Sequence, residues 1–295
     1  QRQMCIRDRM ETRDESEDLL RGSEDDGGLL PPDVLDGSGQ PFKALYLHIP
    51  FCQSRCAYCD FVTDAVPCDD PRIDDYVDRL VLAIRHAGKK GLLGSIETVY
   101  LGGGTPSYVG MKRLSKILYT LSLSMHLTPD VECSMEANPE SLTPEMVKDI
   151  WALGVNRLSI GVQSLHDDTL RTLQRIHTAD KARRAISMAR ERFDNVSVDI
   201  MCGIPGQNPE DYCKDLAEVV ELGANHVSVY PLTIEEGTPF DRMIESGQLV
   251  ETPQDDQALM MQMAASVLEP LGLARYEVAS YARPGFACRH NESYW

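Results

Sequence analysis

The chain has 295 residues, 42% of them hydrophobic and 25% charged, with a net charge of −17; that is enough to bury a full α/β core and too acidic for the phosphate backbone of a nucleic acid, which needs a basic footprint. No run reaches the roughly eighteen apolar residues of a spanning helix and no basic-then-apolar leader opens the sequence, so no transmembrane segment is expected and the expected compartment is the cytoplasm. Nine cysteines, an odd number, point to metal or redox use rather than to a disulfide framework.

In chain order, residues 1–40 carry five Arg against seven Asp and four Glu among Gly, Ser and Pro. Such a composition cannot bury enough apolar area to order itself, so the segment is expected to be disordered. Its first residues match nothing that follows and read as not native. From residue 41 short β-branched runs alternate with longer amphipathic stretches. The predicted strands cover 44–49, 98–101, 131–136, 157–161, 196–201 and 226–230, and the predicted helices 72–87, 111–123, 144–153, 181–192, 209–222 and 255–271. Thr143 and Asn208, each before a proline, read as capped helix starts. Strict alternation predicts an α/β fold with a parallel sheet, expected as a partial, open (β/α)6 barrel of the TIM-like kind over 41–274. Residues 275–295 are expected to begin a C-terminal region cut short at Trp295.

Barrels carry their chemistry on the loops at the C-terminal strand ends. The special residues lie there: the cysteine loop, Gly102-Gly103-Gly104-Thr105-Pro106, Glu136-Ala137-Asn138-Pro139, Gly161-Val162-Gln163-Ser164, Asp199 with Gly203-Ile204-Pro205-Gly206, and Tyr230-Pro231. In the cysteine loop, Cys52, Cys56 and Cys59 are spaced by three and then two residues, so one tight loop presents three sulfurs to one metal cluster. A four-iron cubane held by three cysteines keeps one iron open for an exogenous amino-acid chelate such as S-adenosylmethionine. A zinc loop is the other reading; zinc sites pair two knuckles, and Cys5, Cys68, Cys133, Cys202, Cys213 and Cys288 form no second pair.

Tyr46-Leu47-His48-Ile49-Pro50-Phe51-Cys52 followed by C-x3-C-x-Y-C resembles the coproporphyrinogen III oxidase-like family of the radical SAM superfamily, over residues 41–295. The resemblance implies a radical SAM barrel, a [4Fe–4S] cluster on Cys52, Cys56 and Cys59, a reductant for that cluster, and cleavage of S-adenosylmethionine to methionine and a 5′-deoxyadenosyl radical. It implies that Gly103, Gly104 and Thr105 belong to the loop holding the adenosylmethionine amino group. It further implies that Glu136, Gln163, Arg175 and Asp199 line the adenosylmethionine pocket, with Tyr46 and Tyr58 near the cluster. The family contains a decarboxylating oxidase and a haem-chaperone group. The oxidase has a further cysteine where this chain has Phe61, whereas Cys59-Asp60-Phe61 and the terminal H-N-x-x-Y-W of His290 to Trp295 resemble the chaperone group. There His290 is implied in haem binding, with Tyr294 and Trp295 suited to a porphyrin face; a packing role for this segment is the other reading. The expected function is haem binding and transfer to an acceptor protein, and oxidative decarboxylation of coproporphyrinogen III is the alternative. His86, His126 and His166 read as solvated surface, and His177 receives no role.

Overall fold

The computed structural model describes residues 3–5, 42–125 and 130–295; the rest of the expected disordered segment 1–40 and His126 lie outside them. Six parallel strands form the sheet: β2 (Ala44–Ile49), β5 (Thr98–Gly103), β6 (Glu132–Ala137), β7 (Arg157–Gln163), β8 (Asn195–Cys202) and β9 (His226–Pro231), each beside its predecessor. An order with no switch point puts every crossover helix on one face, which curls the sheet as in a barrel instead of doubly winding it. β1 (Gln3–Cys5) extends one edge, parallel to β2, so these three residues are a strand where disorder was expected. β11 (Ser280–Ala282) and β10 (Ala274–Arg275) extend the other edge antiparallel, and the two edges do not pair among the described residues. β3 (Phe51–Cys52) and β4 (Asp64–Ala65) form a small separate ribbon that holds the cysteine loop.

The helices that cover the outer face are α1 (Pro71–Lys89), α2 (Met111–Ser124), α3 (Pro144–Ala152), α5 (Ala179–Arg190), α6 (Pro209–Glu221) and α8 (Gln254–Leu268). Thr143 caps α3 through the Met146 amide and Asn208 caps α6 through the Glu210 and Asp211 amides. The period of two along the strands separates the faces. Leu45, Leu47, Val99, Leu101, Met135, Leu158, Ile160, Val198, Ile200, Val227 and Val229 are buried in the main core. The alternate positions, among them Thr98, Tyr100, Glu132, Glu136, Arg157, Ser159, Ser197, Asp199 and His226, are polar and face the lumen (the interior of the curled sheet), where Tyr100 bonds Glu136, Ser159 bonds Asp199 and Ser197 bonds His226 between neighbouring strands.

Three short helices escape the periodic pattern because one or two turns show no period: α4 (Asp167–Thr172), α7 (Pro239–Glu245) and α9 (Arg289–Glu292). α7 supports the cysteine loop from below. The Phe240 amide donates to the Ala57 carbonyl at 3.0 Å, and Phe240 packs with Ala57, Leu173, Met201, Ile204 and Leu232 in a second, smaller core. One surface reading changes, and one histidine without a role gains a place. His166 lies 2.8 Å from the buried Asp215 carboxylate, and His177 is buried with Nε2 donating to the Val162 carbonyl at 3.1 Å. No helix among the described residues is long and apolar enough to cross a membrane.

Candidate functional site

At the C-terminal ends of the strands lies a cavity of about 450 Å³, lined by Cys52, Cys56, Tyr58, Cys59, Gly103, Gly104, Thr105, Glu136, Gln163, Arg175 and Asp199 among others. All three cysteines are free and partly exposed to it. Among the described residues no three His, Cys, Asp or Glu side chains are already drawn around a single metal ion.

The glycine loop is built by close approach. Its Gly104 amide donates to the Ile49 carbonyl at 2.9 Å and its Thr105 amide to the Phe51 carbonyl at 2.9 Å. A Cβ on Gly104 would stand 2.8 Å from the Phe51 carbonyl oxygen, so only a bare backbone lies this close to the cysteine strand. Gly103 has φ +114°, and a Cβ there would meet the His48 ring at 2.4 Å. His48 in turn donates from Nε2 to the Val62 carbonyl at 2.9 Å, which pins the loop just beyond the third cysteine.

A polar chain joins two of the cysteines. Thr105 Oγ1 donates to Cys52 Sγ at 3.5 Å and accepts from Asn138 Nδ2 at 3.0 Å. Asn138 Oδ1 accepts from Arg175 Nη2 at 2.8 Å, and Arg175 Nη1 donates to Cys56 Sγ at 3.4 Å. Arg175 also donates to the Gly161 carbonyl at 2.7 Å. Burial opposes the Arg175 charge, but Tyr58, Cys56 and Glu140 around it raise its pKa and keep it a cation. Burial raises the Cys52 thiol, and the neighbouring Cys59 and Cys56 add to the rise while the Thr105 bond opposes it. Gln163, at φ 67° beside a bulge in β7, turns from the strand line into the cavity.

Two carboxyls face the cavity from below. Burial first, and Asp199 second, push Glu136 up to about 7, while the Gly103 amide and Tyr100 hydroxyl oppose the rise, each donating to it at 3.0 Å. Burial likewise pushes Asp199 up to about 6, against bonds from Ser228 and Ser159.

Tyr46 and His290 do not line the cavity. Tyr46, expected near the cysteines, stacks on Tyr100 at 6.0 Å inside the barrel. His290 lies at the opposite, N-terminal ends of the strands, 1% exposed, with Nδ1 2.9 Å from Thr98 Oγ1. The Cys288, Arg289 and His290 stretch caps this floor through Glu132, which accepts from the Arg289 and His290 amides at 3.1 and 3.3 Å. Tyr276 adds a further tie, lying 2.8 Å from His226 Nε2 and accepting from the Cys288 amide at 3.1 Å. Burial lowers the His290 pKa to about 4. Cys288 is fully buried, and burial pushes its thiol up to about 11. His48, Tyr100 and Asn138 shape the site without having been singled out from the sequence. Tyr100 and Asn138 each sit two residues from a glycine or carboxylate that was, Gly102 and Glu136, and His48 two residues from Tyr46.

The family model described as the Radical SAM superfamily matches residues 46–219. The chain is 39% identical over 269 residues to "Heme chaperone HemW" of Mycobacterium tuberculosis, covering 90% of this chain and 68% of that protein. It is 34% identical over 255 residues to "Heme chaperone HemW" of Bacillus subtilis, covering 86% of this chain and 67% of the relative. Among solved structures, coproporphyrinogen III oxidase (HemN) from Escherichia coli, described as a radical SAM enzyme, superposes with a TM-score of 0.73 at 26% identity. That match covers 83% of this chain and 56% of the other, so the chain spans a little over half of that structure.

Proposed function

We propose, because this chain belongs to the radical SAM superfamily and to its HemW-like group, that it binds haem and passes it to an acceptor protein in the cytoplasm, using a [4Fe–4S] cluster and S-adenosylmethionine. The observation that carries the reading is the meeting of Cys52, Cys56, Cys59, the glycine loop and Arg175 on one cavity. The donor set fits the cofactors. Three soft sulfur ligands suit an iron–sulfur cluster, and Thr105 and Arg175 already donate toward two of the sulfurs, a device that tunes such clusters. The backbone at Gly103 and Gly104 lines the cavity and suits the adenosylmethionine amino group, and the Arg175 cation suits its carboxylate. Once bound, the cluster would supply one electron, delivered by an external reductant, and an open iron. Glu136 and Gln163 would orient the ligand, and Tyr58 would shield the cavity from water on the side of α7, where it packs on Phe240 at 6.3 Å.

The haem half of the reading rests on the names of the relatives and on Phe61, which stands where the oxidase has a further cysteine and is 69% exposed at the cavity mouth. His290 faces the barrel interior, so its ligation to haem iron requires α9 to leave the floor. The test is an anaerobic titration of cluster-loaded protein with haem. A saturable Soret shift with retained haem after gel filtration is expected, and its absence would sink the carrier function. The likeness to coproporphyrinogen III oxidase favours a second reading, oxidative decarboxylation of coproporphyrinogen III. Protoporphyrinogen formed from coproporphyrinogen III in an anaerobic assay would replace the carrier reading with that one.

A further inference from the structure

The floor of the barrel and the glycine loop lie at opposite ends of the strands, yet a short line of side chains joins them. His290 and Tyr100 stack with ring centroids 5.1 Å apart and planes at 30°. Tyr46 completes the cluster: its ring stacks on Tyr100 at 6.0 Å and 20° and lies 6.4 Å from the His290 ring, so the three rings pack as a triangle. The Tyr100 hydroxyl donates to Glu136 Oε1 at 3.0 Å, and the other carboxylate oxygen, Oε2, accepts from the Gly103 amide at 3.0 Å. Space is cleared for this contact: a Cβ on Gly102 would stand 2.9 Å from both Glu136 Oε2 and Tyr100 Cε1. His290 is fixed in turn by Thr98 at Nδ1 and by Glu132 at its amide, and Tyr294 packs edge-on at 5.7 Å.

We propose that Tyr100 is a positioning residue for the adenosylmethionine cradle, seated by the His290 ring, so that the docked C-terminal segment sets the geometry of Glu136 and the glycine loop. The adenosylmethionine part of this statement rests on the function proposed above. A carboxylate with two fixed donors keeps one rotamer, and the amide it accepts from is that of a glycine whose left-handed φ leaves the backbone free to turn. Without the Tyr100 hydroxyl, Glu136 keeps only the Gly103 bond, and the cradle loses its anchor to the barrel wall.

The test uses the anaerobic cluster-loaded chain and two readouts. Tyr100→Phe keeps the ring and its stacking while deleting one bond to a carboxylate; it is expected to raise the adenosylmethionine Kd about tenfold with iron content unchanged. It is also expected to speed hydrogen exchange at the Gly103 amide about tenfold without adenosylmethionine present. His290→Ala is expected to weaken binding several-fold, and His290→Phe, which restores a ring beneath Tyr100, to recover most of the loss. Binding by Tyr100→Phe within twofold of the unaltered chain, or no difference between His290→Phe and His290→Ala, would overturn the proposal. If the unaltered chain binds no adenosylmethionine, the functional reading fails. The exchange rate at Gly103 then still decides the relay: faster exchange in Tyr100→Phe supports the seating of Glu136 by Tyr100, and unchanged exchange removes it. Should Tyr100→Phe lose its cluster, exchange at Gly103 in His290→Ala against His290→Phe gives the same decision.

Discussion

Replacing Glu136 by Gln should flatten the dependence of stability on pH. The carboxyl is held at about 7 instead of its ordinary 4.5, first by burial and then by Asp199. Between those two values the folded chain binds a proton that the unfolded chain has already released. Stability is therefore fully present below about 4.5 and is lost as the pH rises through 7. At 1.36 kcal/mol per pH unit the loss comes to about 3 kcal/mol by pH 8, or about 6–10 °C in the melting temperature of a chain this size. Glu136→Gln carries no such proton. It loses one acceptor for the Gly103 amide and Tyr100 hydroxyl, a cost independent of pH. Asp199, pushed up to about 6, adds a slope of the same sign and is relieved of a neighbouring charge in the variant. Melting curves of ligand-free protein from pH 5 to 8 should show the unaltered chain falling toward the variant. Two parallel lines would mean that Glu136 ionises normally and that the buried carboxyl pair is no pair.

Substituting Ala for Cys52, Cys56 or Cys59 should abolish the brown absorbance of reconstituted protein, while Cys68→Ala and Cys213→Ala, off the cavity, should keep it. Gly104→Ala should lose most of its iron on desalting, because its Cβ would meet the Phe51 backbone at 2.8 Å and displace the cysteine strand. Arg175→Lys keeps the charge but not the planar fork that reaches Asn138, Gly161 and Cys56 together. Losing one or two charged bonds at about 1.5–3 kcal/mol each, it should bind adenosylmethionine at least tenfold more weakly in equilibrium titration.

The strands were legible because outward Leu, Val and Ile alternate with inward polar residues, and the cavity because glycines, cysteines and carboxyls stand at successive strand ends. The interior partners were not. Tyr100 and Tyr46 look like ordinary strand aromatics, and nothing in their spacing says that one carries a hydroxyl to Glu136. Asn138 stands in a strand-end run beside Glu136 like any loop residue, yet it is the link between Thr105 and Arg175. α7 has too few turns to show an apolar face, although Phe240 supports the cysteine loop. His290 shows the limit most clearly. A motif marks residues that act together, but periodicity does not say to which end of the barrel a terminal segment returns, and this one returns to the floor.

The most direct test of the account is electron paramagnetic resonance of the anaerobically reconstituted, dithionite-reduced protein, before and after S-adenosylmethionine is added. A reduced [4Fe–4S] signal whose g-values shift on addition is expected, with no such shift when Arg175 is replaced by Ala. A signal indifferent to S-adenosylmethionine, or zinc in place of iron on metal analysis, would contradict it.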